Sequence, residues 1–351
     1  MSSQAVEEIK SESPAKTGVK AIGLLSGGLD STLATRIMTR MGFDVTVLNF
    51  MSPFCTCTRK DHGCKNEAKR LADELGLPVR VEFMGQQYID LIRNPKFGYG
   101  KNMNPCVDCR IMIFKRAKEV MEEVGASFIF TGEVAGQRMM SQKIDRMRLI
   151  EKEAGLSGLV VRPLSAKLLP PTIPEQNGVI DRESMLAIHG RSRKEQVKIA
   201  KEEFGMTENL CSSGGCLLTD QHFASRMRDL LDNDETAGVK DARLLRIGRH
   251  FRVSPEVKVI VGRDESENEK LSRMAEDEDF IFYPGDVRGP LAVAKGKLDR
   301  DTIERVGAII ARYCSEKSGE LRIEYKKKNA DAAWSVTVSP IGEEALSAMR
   351  L

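Results

Sequence analysis

A continuous apolar run over 19–26 (VKAIGLLS) predicts a strand buried on both faces. Leu33, Ala34, Ile37, Met38 and Met41 then recur at helical spacing, and Gly42 stops the helix. The alternation continues with a strand at 44–51, a glycine-closed helix at 66–76, a strand at 77–84, a longer helix at 109–125 and a strand at 126–133. One more strand falls within 157–165 (SGLVVRPLS), followed by a proline-rich loop at 168–178 and helices at 193–205 and 223–234. Regular alternation of strand and helix predicts a parallel, doubly wound α/β sheet. At 232–238 (DNDETAG) the pattern changes to short strands at 257–264 and 322–328, with a helix near 300–315. The expected division is a polar tail over 1–17, an α/β domain over 18–235 and a smaller α+β domain over 240–351.

Composition narrows this little. The chain has 351 residues, 41% of them hydrophobic, enough for two or three domains with real cores. No apolar run approaches the roughly 18 residues that suggest a membrane span. The N-terminus (MSSQAVEEIKSESPAKTG) has no apolar signal segment; it reads as a short disordered tail and implies a cytoplasmic protein. A net charge of +3 names no partner.

The eight cysteines say more, because clustered thiols in a reducing compartment point to metal or sulfur chemistry. Histidine is scarce, with only His62, His189, His222 and His250, so a histidine-rich metal site or a Ser-His-Asp triad is poorly supported. Cys106 and Cys109 form a CxxC at a helix start, where the helix end is expected to lower thiol pKa. Cys211 and Cys216 lie in CSSGGC, and the four together have the ligand count of a zinc clip. FCTCTRKDHGC (54–64) adds Cys55, Cys57, Cys64 and His62 just after the second strand. It reads equally as a second metal site, a sulfur relay or a set of loop thiols.

The segment SGGLDS (26–31) joins the first strand to its helix. Its plain reading is a tight turn. Its chemical reading is a phosphate cradle: Gly27 and Gly28 admit close backbone approach, the helix start offers N–H groups, Ser26 and Ser31 can donate, and Asp30 suits Mg²⁺. It is neither a Walker A loop nor GxGxxG.

SGGLDS resembles the PP-loop of the ATP pyrophosphatase superfamily. The resemblance implies a Rossmann-like fold of the adenine-nucleotide α-hydrolase type. It also implies ATP and Mg²⁺ at Ser26, Gly27, Gly28, Asp30 and Ser31, with Asn49 and, from FTGEVAGQRMMSQ (130–142), Thr131 and Gly132. Asn-Pro-Cys at 104–106 and SSGGC resemble the two catalytic-cysteine segments of tRNA 2-thiouridylases, and RPLSAK (162–167) resembles a further motif of the thiolases, whose branch includes 4-thiouridine synthases. The implied catalytic residues are Cys106, Cys216 and Asp30. Cys106, Cys109 and Cys216 match a set that holds a 4Fe–4S cluster in some tRNA thiolases, with zinc as the alternative. Stretches 257–271 and 279–296 resemble the NFACT RNA-binding domain. Residues 240–351 carry 21 Lys/Arg against 20 Asp/Glu, but Arg243, Arg246, Arg249 and Arg252 recur every third residue and Lys326, Lys327 and Lys328 form a block, as phosphate-contacting patches would. Trp334 reads as core. The implied function is an ATP-dependent tRNA sulfurtransferase, with tRNA and a sulfide or persulfide donor as partners and a homodimer allowed. A PP-loop ligase acting on a small molecule with structural zinc, and an RNA-binding protein with ATP as conformational ligand, are the other readings.

Overall fold

The computed structural model describes residues 17–56, 64–206, 215–316 and 319–351, without the side chains of Cys64 and Lys65. The tail expected over 1–17, apart from Thr17, lies outside the described residues, as do Cys57, His62 and Cys211. The chain forms two compact units, one within 17–100 and 104–216, the other comprising 101–103 and 217–351.

The first unit is built on β1 (Lys20–Leu24), β2 (Asp44–Met51), β3 (Val79–Phe83), β4 (Phe128–Thr131) and β5 (Val160–Val161). Their order is β3-β2-β1-β4-β5 and every pairing is parallel, as the alternating pattern predicts. Helices α1 (Leu29–Arg40) and α2 (Cys64–Leu75) pack one face through Ala34, Met38, Ala68 and Leu71. Between α2 and the next long helix lies α3 (Gln86–Arg93). The opposite face is covered by α4 (Cys106–Val124) and α5 (Ile144–Ala154), through Ile111, Phe114, Val120 and Ile150. Gly23 in β1 is required by packing: a Cβ there would lie 2.5 Å from the Phe130 ring. Two short helices, α6 (Ile173–Gln176) and α7 (Lys194–Glu202), complete the unit.

The second unit opens with α8 (Gln221–Asn233) and α9 (Val239–Leu244), so the change at 232–238 falls inside this unit rather than at its edge. The reason is electrostatic as well as apolar. Asp229 on α8 accepts from Arg252 at 2.8 Å and from Lys258 at 2.9 Å. Those partners belong to β6 (Arg249–Ser254) and β7 (Val257–Val261). Helix α10 (Glu265–Met274), β8 (Phe280–Pro284), β9 (Ala292–Lys295), α11 (Arg300–Arg312), β10 (Leu321–Lys327), β11 (Trp334–Val338) and α12 (Glu343–Met349) follow. The sheet is antiparallel in the order β11-β10-β8-β9-β7-β6. One face packs on α11 through Val306, Ile309 and Ile310, the other on α9 and α10 through Leu244 and Leu271. Trp334 is 51% exposed, not core, because it ends an edge strand beside Tyr325, 5.9 Å away.

Candidate functional site

Strands β1 and β4 are neighbours, with Leu24 opposite Thr131. After β1 the sheet order runs one way through β2 and β3, and β4 lies on the other side. Their carboxyl ends therefore open a crevice of the kind where open α/β sheets take ligands. A cavity of about 260 Å³ occupies it. Ser26, Gly28, Asp30, Ser31, Thr131 and Gly132 line this cavity, together with Cys106, Cys109 and Cys216.

The loop after β1 owes its shape to a few contacts. Gly27 has φ +77°, in the left-handed region that favours glycine. Gly28 leads into α1 without a side-chain cap, so the amide donors of the first turn keep no capping oxygen. The Ser31 hydroxyl donates to the Gly28 carbonyl at 2.9 Å and accepts from the Ser26 amide at 3.2 Å, so it holds the loop against the helix. Gly132 lies hard against the same helix start: a Cβ on it would come within 2.4 Å of the Ser31 nitrogen. Gly27 and Asn49 are outside the cavity lining. Asn49 is buried and donates to the Leu25 carbonyl at 2.7 Å, fixing the loop from below. RPLSAK also holds structure: Ser165 Oγ donates to the Ile188 carbonyl at 2.6 Å, and buried Arg162 pairs with Glu133 and Glu151.

Asp30 is 9% exposed. Its Oδ2 accepts from Gln137 at 3.2 Å and lies 3.6 Å from Arg193, while Oδ1 is buried and has no hydrogen-bond partner among the described residues. Burial raises its pKa, and Arg193, Gln137 and Arg138 work against that rise. An unpartnered buried carboxylate oxygen fits a hard divalent cation. Arg138 lies close enough to Arg110 and Arg193 for their repulsion, added to burial, to lower its own pKa. Clustered guanidinium groups suit a polyphosphate. Gln137 and these arginines were not among the residues expected from sequence.

The thiols depart from expectation. Burial raises the pKa of both Cys106 and Cys109, outweighing Arg138 and Arg110 at Cys106 and the Tyr88 hydroxyl at Cys109. Burial thus opposes the thiolate form that a helix start favours. Tyr88, 2% exposed and also unforeseen, hydrogen-bonds Cys109; burial and then the charges of Cys109, Cys216 and Cys106 push its own pKa well up. Among the described residues no three His, Cys, Asp or Glu side chains are grouped to hold one metal ion. A four-iron cluster differs from a single ion in taking one thiolate on each of several irons, and three thiols around one cavity suit that donor set. The zinc clip would need Cys211, which lies outside the described residues. In the 54–64 stretch, Cys55 forms an antiparallel bridge with Cys216, and Thr56 donates to the Gly215 carbonyl from its amide at 3.1 Å and its hydroxyl at 2.9 Å.

In the second unit the basic residues do not form the expected row. Arg243 is on α9, while Arg249 and Arg252 are on β6. Arg252 is paired with Asp229, Lys327 with Glu278 at 2.8 Å, and Lys328 with the Ser272 carbonyl. Arg249 stacks 4.6 Å from the Tyr313 ring. No helix among the described residues is long and apolar enough to cross a membrane.

Residues 16–167 match the family model described as thiamine biosynthesis protein (ThiI), and residues 248–350 match that of the NFACT protein RNA-binding domain. The two matched stretches do not overlap, and each covers less than half of the chain. Over 173 residues it is 31% identical to a probable tRNA sulfurtransferase of Lysinibacillus sphaericus; the match covers 48% of this chain and 40% of that relative. Over 275 residues it is 24% identical to the tRNA-specific 2-thiouridylase MnmA of Listeria monocytogenes, covering 71% and 70% of the two chains. Among solved structures it is similar to a 4-thiouridine synthetase–RNA complex with bound ATP, at 23% identity and a TM-score of 0.37, covering 66% of this chain and 53% of that one. The chain therefore spans less than half the length of the Lysinibacillus sulfurtransferase.

Proposed function

We propose that the chain is an ATP-dependent tRNA sulfurtransferase. The observation that carries this reading is one cavity lined both by the 26–31 loop and by Cys106, Cys109 and Cys216. The backbone of Ser26 to Ser31 and the N-terminus of α1 cradle the phosphates, Gly132 sets the close approach, and Asp30 Oδ1 takes Mg²⁺. Arg110, Arg138 and Arg193 neutralise the phosphate charge. A uracil carbonyl oxygen attacks the α-phosphorus and pyrophosphate leaves. The step is needed because a carbonyl oxygen leaves poorly and AMP leaves well. Sulfide then attacks the activated carbon at the cysteine wall and AMP leaves with the oxygen; with a persulfide donor the outer sulfur attacks in the same way, a second cysteine thiolate cleaves the S–S bond, and the resulting disulfide is reopened by an external thiol. Cys106 and Cys216 are the sulfur-handling residues. A 4Fe–4S cluster held by Cys106, Cys109 and Cys216 would supply an open iron for sulfide. The NFACT-type domain grips the tRNA.

The test incubates the chain with ATP, sulfide and tRNA, following pyrophosphate and, by mass spectrometry of digested tRNA, thiolated nucleosides. The expected result is tRNA-dependent pyrophosphate release with a gain of sulfur in one uridine. Equal pyrophosphate release without tRNA would instead favour a small-molecule ligase.

A further inference from the structure

The 54–64 stretch has no part in the reading above, yet the fold sets its first cysteine beside Cys216. The two face each other across an antiparallel bridge. Thr56, one residue beyond Cys55, donates its amide to Gly215, one residue before Cys216. That pattern makes Cys55 and Cys216 a non-hydrogen-bonded pair, the narrow kind, with α-carbons about 4.5 Å apart and side chains on one face. Disulfides span α-carbon separations of about 4.4–6.8 Å, so the pair lies at the near edge of that range. Both residues are partly exposed, so a small oxidant can reach them.

We infer that Cys55 and Cys216 are a redox pair that closes to a cross-strand disulfide. The thiolate of Cys55 attacks the S–S bond of a low-molecular-weight disulfide, bonding one sulfur and releasing the other as thiolate. The thiolate of Cys216 then attacks Cys55 Sγ and expels the second thiolate. Two protein thiols lose two protons and two electrons, and the small disulfide becomes two thiols. Because Cys216 lines the cavity, the cross-link ties up one of the three thiols that face it. The inference stands on the geometry and not on the function proposed above.

The test uses the full chain carrying Cys57→Ser and Cys211→Ser, so that the tryptic peptides of Cys55 and Cys216 each hold one cysteine. The protein is treated with oxidised glutathione, alkylated and mapped without reduction. A linked peptide pair joining Cys55 to Cys216 is expected, lost in a further Cys55→Ser variant and retained in Cys106→Ser. Far-UV circular dichroism shows that each variant is folded. Cys216 linked mainly to Cys106 or Cys109, Cys55 and Cys216 left as separate glutathione adducts, or both left unmodified would each overturn the pairing.

Discussion

Gly132 and Asp30 shape the proposed nucleotide half of the cavity from opposite directions, one by having no side chain and the other by having a carboxylate oxygen without a hydrogen-bond partner among the described residues. An alanine at Gly132 must push the start of α1 away, an overpacking strain of about 1–3 kcal/mol. At about 1.4 kcal/mol per tenfold, Gly132→Ala is expected to weaken ATP binding by about tenfold or more, measured by titration calorimetry. Asp30→Ala should reduce pyrophosphate release by a factor on the order of 10²–10³ with the fold intact, and wild-type rates in that variant would remove Asp30 from the mechanism. Burial raises Asp30's pKa and Arg193 restrains it. In the chain free of Mg²⁺ and ATP, the Asp30 carboxyl should therefore titrate above the ordinary carboxylate range, and Arg193→Ala should move it to still higher pH, read by carboxyl NMR. Asp30, Ser31 and the glycines were legible because a local motif carries them. Arg110 and Arg138 sit inside stretches that were singled out, but as single arginines among motif residues they carried no signal of their own; Arg193 and Tyr88 come from segments that no spacing links to the loop. The CxxC thiols were misjudged for a related reason: a helix start is visible in sequence, whereas the burial that outweighs it is a property of the packed cavity.

At the scale of elements, the strands were readable and the supporting helices less so. The run at 44–51 became β2 with the expected bounds. The short α3 and the α5 that follows the 130–142 segment escaped notice, because each buries only three residues of a mostly polar stretch. Helix α4 begins at Cys106 rather than Cys109, placing both cysteines in its first turn. In the second unit Arg243 and Arg246 line one cavity with Lys240. A three-residue period suggests a row, yet the four arginines divide between a helix, a turn and a strand. Holding β4 to α5, Arg162 is buried between Glu133 and Glu151. Removing it takes the guanidinium from Glu151 and leaves Glu133 with Arg110 at 3.2 Å, so Arg162→Ala is expected to lose about 3 kcal/mol of stability, read from the denaturant midpoint.

For the whole molecule, the division at 216–217 matters to any dissection of function. A cut at 240 strands α8 and leaves Asp229 without Arg252 and Lys258. Burial opposes Asp229's charge, but these two cations hold its pKa below the usual carboxylate value. Its stabilising contribution is therefore present above the unfolded carboxylate pKa and is lost as pH falls through the depressed folded value. Asp229→Asn should flatten the acid side of the melting-temperature profile, and an unchanged profile would assign the slope elsewhere. Binding of tRNA by the intact chain should weaken linearly in log affinity against log salt. The cavity has a further consequence, in time rather than space. The 26–31 loop and the Thr131–Gly132 edge that line it come before residue 143, but Cys216 is the last of its lining to be synthesised. On the ribosome, a chain would complete the loop-lined side of the cavity well before it owns the last of the three thiols, so under the proposed function the emerging protein would be ready for ATP before it could handle sulfur.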